Sequence, residues 1–386
     1  MPNLTPDDAD KSRSRRHAAL FDELTLLETG EHPLGGPTES ATGRWTESPA
    51  WRRLASAGVL RTAATAEFGG LDAPAQELAA LCEAAGRADY RGPLLPTLHA
   101  MELAGLLADP NDRAELLPSL AAGQLAASLV VDPALCHAPG SDTGSLTSTS
   151  DRLNGTVRFV PWAGNAEQLL VLTAIDGSPA LVQVPLPNPE VLIRRQDDLA
   201  RGEMYRIDFS GAPLAGARPM WLAAGADLAA VLARARIRLA AYLLGLATGA
   251  VEETIDYTNR RKQFGRAVSR FQTVSFRLAD LVTQVHGVRL VCGQLASIAD
   301  GGAPLTQRAA QVLAKAARLA GTAGVEAMQL HGAIGLTEDS PAQRFYRHAT
   351  VDGLGLGTPA ALYRLAGARL AATPAEAPRF ACEVSA

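Results

Sequence analysis

The chain has 386 residues, 47% of them hydrophobic and 20% charged, with a formal net charge of −4. That length exceeds one ordinary core and predicts two or three packed units, and the near-balanced charge gives no field for a nucleic-acid partner. Four scattered cysteines, Cys82, Cys136, Cys292 and Cys382, show no CxxC or metal spacing, so no metal site is expected and they read as buried free thiols in a reduced cytosol.

Residues 1–14 read as a mobile polar tail, and the N-terminus carries no apolar signal core. From 15 to 125 helical segments alternate with Gly and Pro. "PAWRRLASAGVL" is a short amphipathic helix with Gly58 near its end, and "APAQELAALCEAAGRADY" is a second with Gly86 as its stop signal. "LPTLHAMELAGLLA" and "RAELLPSLAAGQL" continue the 3–4 spacing of apolar residues. Between 126 and 221 the composition changes to short β-branched or alternating runs, such as "TVRFVPWA", "EQLLVLTAI" and "EMYRIDFS", separated by turns. This predicts a small barrel or sandwich.

From 222 to 375 the chain is helical again. One long periodic segment reaches Gly265, a second ends at Gly301–Gly302 and a third covers "LTQRAAQVLAKAARLAGTAGVEAMQLHG"; together they predict a helical bundle. Residues 376–386 are a tail. The longest apolar run, Leu239–Val251, is too short to span a bilayer and is broken by Gly245 and Gly249. A soluble, cytoplasmic protein, mainly α with a central β domain, is expected.

Two stretches carry chemistry. In "YTNRRKQFGRAVSRFQ" a helix ends in Arg260, Arg261 and Lys262. Cations at a helix C-terminus suit its dipole, and they equally suit a phosphate, with Phe264 offering a ring face and Gln272 a hydrogen bond to a base or ribose. In "QLHGAIGLTEDSPAQRFYRHA", Gln329 ends a helix, and Gly332 and Gly335 permit either a helix cap or a close backbone approach to a planar ligand.

Together these stretches resemble the acyl-CoA dehydrogenase family. Arg261, Phe264 and Gly265 followed by Phe271–Gln272 match its Arg-x-x-Phe-Gly fingerprint. Gln329, Gly332 and Gly335, then Tyr346–Arg347, match a later Gln-x-x-Gly-Gly-x-Gly, with Ala333 in place of one glycine. The order of helical domain, β domain and C-terminal four-helix bundle fits as well. The resemblance implies FAD at a subunit interface, with Arg261 at its pyrophosphate, Phe264 packed nearby and Gln272 towards the adenine. Gln329, Gly332 and Gly335 would contact FAD held mainly by a neighbouring chain. It also places Thr358 and Trp162 near the cofactor. Arg236 and the Gly140–Asp142 segment, with Ser141, would lie near the substrate, an acyl-CoA or a carrier-protein thioester. A homo- or hetero-oligomer, dimer or tetramer, follows.

The chain departs from the family where the chemistry sits. The family's base is a Glu before a Gly-Thr pair; here Gly357–Thr358 is preceded by Leu356. The alternative position on the long helix is Ala235. Losing a positioned base costs about 10²–10⁴-fold. The catalytic residue is therefore unknown, with Asp352 a weak substitute and Glu338 and Asp339 upstream. The family's Trp-x-Thr/Ser segment over the flavin becomes Phe159 and Pro161, and proline brings neither hydroxyl nor N–H. Four readings follow: the base-less subunit of a hetero-oligomeric dehydrogenase for α,β-dehydrogenation of an acyl thioester, in lipid or steroid metabolism; a repurposed tailoring enzyme of secondary metabolism; a dehydrogenase with its base elsewhere; or a non-catalytic acyl-CoA-binding or scaffold protein.

Overall fold

The computed structural model describes residues 44–136, 144–149, 151–200, 202–214, 219–302 and 304–372. Four helices form the N-terminal layer: α1 (Pro49–Ser56), α2 (Ala75–Arg87), α3 (Leu94–Ala104) and α4 (Pro110–Ala121). Proline opens α1 and α4, where no helical N–H is lost. Asp109 caps α4 by accepting the Asn111 N–H at 2.8 Å. Trp51 and Leu54 of α1 and Leu98 and Met101 of α3 are each no more than 1% exposed.

The middle of the chain, apart from the short helix α5 (Pro133–Cys136), is one eight-stranded sheet. Its strands are β1 (Ser128–Val131), β2 (Gly144–Ser148), β3 (Arg152–Pro161), β4 (Gln168–Ile175), β5 (Ser178–Pro185), β6 (Val191–Arg195), β7 (Met204–Pro213) and β8 (Pro219–Trp221). They run in the order β6-β7-β3-β2-β4-β5-β8, with β1 parallel to β4. Because side chains alternate across a strand, β4 serves two cores. Leu169 and Val171 join β3 and β7 residues in the sheet's own apolar cluster, while Leu170 and Leu172 face the helices. Burial on both faces explains the unbroken run "LLVL".

The C-terminal layer holds α6 (Leu228–Arg260), α7 (Gln272–Ala299), α8 (Thr306–His331), α9 (Pro341–Asp352) and α10 (Pro359–Ala372). At 33 residues, α6 is about 50 Å long, and Asp227 caps it through the Ala230 N–H. No described helix is long and apolar enough to cross a membrane.

Two local expectations change. Gly86 does not end a helix: it lies inside α2, and a Cβ there would stand 1.9 Å from the Tyr242 carbonyl oxygen. Gly245 is its counterpart on α6, where a Cβ would stand 2.1 Å from the Glu83 carbonyl oxygen. The glycines bring two backbones into contact, which no larger residue permits. The long helix also stops at Arg260, not Gly265, because residues 262–267 pair as a hairpin of β9 (Lys262–Gln263) and β10 (Arg266–Ala267).

Candidate functional site

The predicted residues gather at two places. The first is the hairpin beyond α6. Its two-residue tip is Phe264 (φ 51°) and Gly265 (φ 77°), the pair of positive φ values that suits strand twist. A phenylalanine at positive φ is strained, and Phe264 is also 92% exposed. An aromatic ring held out at that cost needs something to cover it. Phe271 packs edge-on to Phe264 at 6.2 Å, and the Arg266 guanidinium lies 4.1 Å above the Phe271 ring. Arg261 caps the helix and is exposed, as is Gln272.

The second motif joins this end of the molecule. Tyr257, on the last turn of α6, stacks on His331 at 4.1 Å and donates to its carbonyl oxygen at 3.2 Å. Gly332 follows at φ 65°, and Gly335 is buried with its Cα against Met328. Gln329 is exposed one turn earlier. Phe276 on α7 and Ile334 and Leu336 after α8 are at least half exposed. Apolar exposure on this scale marks an interaction surface.

The second place is the junction of all three layers, near the other end of α6. Here the glycines of "DGLGLGT" find their role. Gly353 packs against Ala317 of α8, Gly355 against Leu239 of α6 and Gly357 (φ 127°) against Leu362. The loop is pressed onto two helices. Leu356 (φ 56°) packs against the core, and its carbonyl oxygen accepts from Arg236 Nε at 3.2 Å. Arg236 is thus tied to the loop from deep burial, and Ala235 beside it is buried. Thr358 caps α10, its hydroxyl accepting the Ala361 N–H at 3.3 Å.

Asp352 does not stand free to accept a proton. Its Oδ2 takes a hydrogen bond from Arg91 Nη1 at 2.5 Å, and both side chains are nearly buried. Arg91 also donates to the Tyr242 hydroxyl at 3.1 Å and lies 5.6 Å from the Trp162 ring centre. Burial works against its charge, but Asp352, Tyr242 and Asp89 outweigh that and keep the guanidinium protonated. Burial likewise pushes the Tyr242 hydroxyl up.

At the end of β3 the backbone groups are paired within the chain, while the Phe159 ring is 56% exposed. The Phe159 N–H donates to Gln196 Oε1, the Trp162 N–H to the Glu203 carbonyl, and the Trp162 carbonyl accepts from Trp45 Nε1 at 3.0 Å. Pro161 has no N–H to give. Trp162 is buried against Trp45, whose ring meets it edge-on at 5.1 Å. Ser141 lies outside the described residues, as do Gly140 and Asp142. Among the described residues no group of His, Cys, Asp or Glu could hold a metal.

Arg91, Tyr242, Asp89 and His348 escaped sequence reasoning. One signal was present: Arg344, His348 and Asp352 recur every four residues on one face of α9. Their partners lie 259 and 261 residues away, which no local pattern reveals.

A profile of the acyl-CoA dehydrogenase C-terminal domain matches residues 226–371. Acyl-CoA dehydrogenase FadE27 of Mycobacterium tuberculosis is 29% identical over 340 residues, covering 84% of this chain and 88% of the relative. Among solved structures, a variant of the Tcur3481–Tcur3483 steroid ACAD superposes with a TM-score of 0.81 at 27% identity, covering 94% of this chain and 99% of that one. The ChsE4–ChsE5 complex of Mycobacterium tuberculosis shares the fold at a TM-score of 0.78 and 24% identity, covering 93% of this chain and 98% of that one.

Proposed function

Because the chain belongs to the acyl-CoA dehydrogenase family, we propose that it is the base-less subunit of a hetero-oligomeric, FAD-dependent acyl-CoA dehydrogenase. The observation that carries this is the state of the 352–358 loop. Leucine stands where a carboxylate would take the α-proton, and the loop's one carboxylate, Asp352, is consumed by Arg91. Its similarity to the Tcur3481–Tcur3483 steroid ACAD supports a role in lipid or steroid metabolism.

Arg236 and Arg260 are 24 residues apart on α6, or about 36 Å. The two clusters therefore serve separate sites. The hairpin end, with Arg261, Phe264 and Gln272, and the neighbouring turn, with Gln329, Gly332 and Gly335, would hold FAD across an interface with a partner that bears the base. Cationic Arg261 suits the pyrophosphate, and exposed Phe264 suits a flat apolar face. FAD, when bound, accepts the hydride from the substrate's β-carbon. This chain would hold and orient the cofactor and contribute no proton acceptor. The acyl thioester, on CoA or a carrier protein, would sit in the partner.

Expression of the chain alone and with a Glu-bearing homologue tests this. The pair should co-purify, carry flavin and bleach with acyl-CoA, while the chain alone should not bleach. Arg261→Ala should lower the flavin content of the pair several-fold. Bleaching by the lone chain, or full flavin content in the variant, would count against the assignment.

A further inference from the structure

Three polar contacts link the loop after α2 to one face of α9. Asp89, 1% exposed and at φ 50°, accepts from His348 Nδ1 at 2.6 Å and faces Arg344 Nε at 3.8 Å. Two residues on, Arg91 holds Asp352. Arg344, His348 and Asp352 stack at successive helical turns, so the contacts form a ladder whose polarity reverses between its rungs. Asp89 meets the His348 ring and the Arg344 guanidinium, and Arg91 meets the Asp352 carboxylate. The lower rung sits where α9 becomes the 353–357 loop. Arg91 there also touches α6 through Tyr242 and the sheet through the ring of Trp162. Tyr242 in turn donates to the Tyr90 carbonyl oxygen at 3.1 Å.

We infer that this ladder is a latch which closes the junction of the three layers to an acyl group and fixes the loop carrying Leu356. The inference rests on the base-less reading and supplies its structural counterpart on the substrate side. An apolar acyl chain entering at the Arg91–Asp352 rung would have to displace a nearly buried guanidinium and leave Asp352 unpaired, and a buried charge without its partner is strongly unfavourable. Both members of each rung come from different layers, so the rungs also clamp the N-terminal helices to α9.

The test uses the full chain with Arg91→Ala and Asp352→Ala combined, so that neither charge is stranded. Hydrogen exchange should show protection of amides 353–357 falling at least tenfold. Calorimetric titration with butyryl-CoA should show saturable binding that the unsubstituted chain lacks. Exchanging the pair, Arg91→Asp with Asp352→Arg, should restore protection. If the alanine pair does not fold, Tyr242→Phe removes one tie to Arg91 and should lower protection by a smaller factor. Unchanged protection in the variant that folds, or saturable binding by the unsubstituted chain, overturns the latch. So does an opened variant that still binds no butyryl-CoA. Binding by the unsubstituted chain without flavin bleaching would remove the latch and leave the base-less reading standing. Bleaching would remove that reading whatever the latch does.

Discussion

At the scale of single residues, burial sets the chemistry. Cys82 on α2 and Cys292 on α7 are buried, and that burial pushes both thiols up to about 12. Nearby Glu83 adds to the effect at Cys292, and Arg238 opposes it at Cys82. A thiol reacts as its thiolate. Iodoacetamide at mildly alkaline pH should therefore leave both unmodified in the native chain and label both in urea, as read by peptide mass mapping. Native labelling of either would contradict their placement. Asp89 is the opposite case. Burial favours its neutral form, but His348 beside it, its hydrogen bond, and Arg91 and Arg344 outweigh that and hold the carboxyl below the ordinary range. A carboxylate lowered on folding adds stability above its unfolded pKa and loses it as pH falls through the folded value. Asp89→Asn should then cost on the order of 3 kcal/mol at neutral pH, with the gap to the parent closing below about pH 4. A gap independent of pH would exclude a charged Asp89.

At the scale of elements, the helix glycines divide by what lies opposite them. Gly86 and Gly245 let α2 and α6 touch backbone to backbone, whereas Gly287 and Gly293 on α7 have nothing within 4 Å of where a Cβ would stand. Gly245→Ala should destabilise by about 1–3 kcal/mol or more through overpacking. Gly287→Ala should stabilise the lone chain by about 0.5–1 kcal/mol through helix propensity. Thermal unfolding of the two variants checks the contrast, and shifts of the same sign would contradict the packing described. The composition of these helices was legible in the sequence, and so were the ends of α8 at Thr306 and His331. The purpose of Gly86 was not, because a glycine that stops a helix and one that admits a neighbour look alike until the neighbour is present.

At the scale of the whole molecule, α6 organises everything. Its N-terminal half, with Arg236 and Tyr242, lies at the junction with the 353–357 loop and Arg91. Its C-terminal end carries the hairpin with exposed Phe264. One end is held by nearly buried polar contacts and the other exposes an aromatic ring, which suits a subunit that lends a surface to a partner. The order of three layers was readable from composition alone, since helical period, strand alternation and helical period again succeed one another along the chain. The middle layer proved to be a single sheet shared between two cores, because β4 and β5 are apolar on both faces.

By itself the sequence determined the layer order, the family likeness carried by Arg261, Phe264, Gln272, Gln329, Gly332 and Gly335, and the absence of a carboxylate before Gly357–Thr358. Each of these is a matter of residue type and local spacing. Only the tertiary structure decided that Asp352 is occupied, that the alternating glycines of its loop face α6, α8 and Leu362, and that Asp89 and Arg91 meet α9. The Asp89 and Arg91 contacts join groups more than 250 residues apart in the chain, brought within hydrogen-bonding distance by packing that no local pattern encodes.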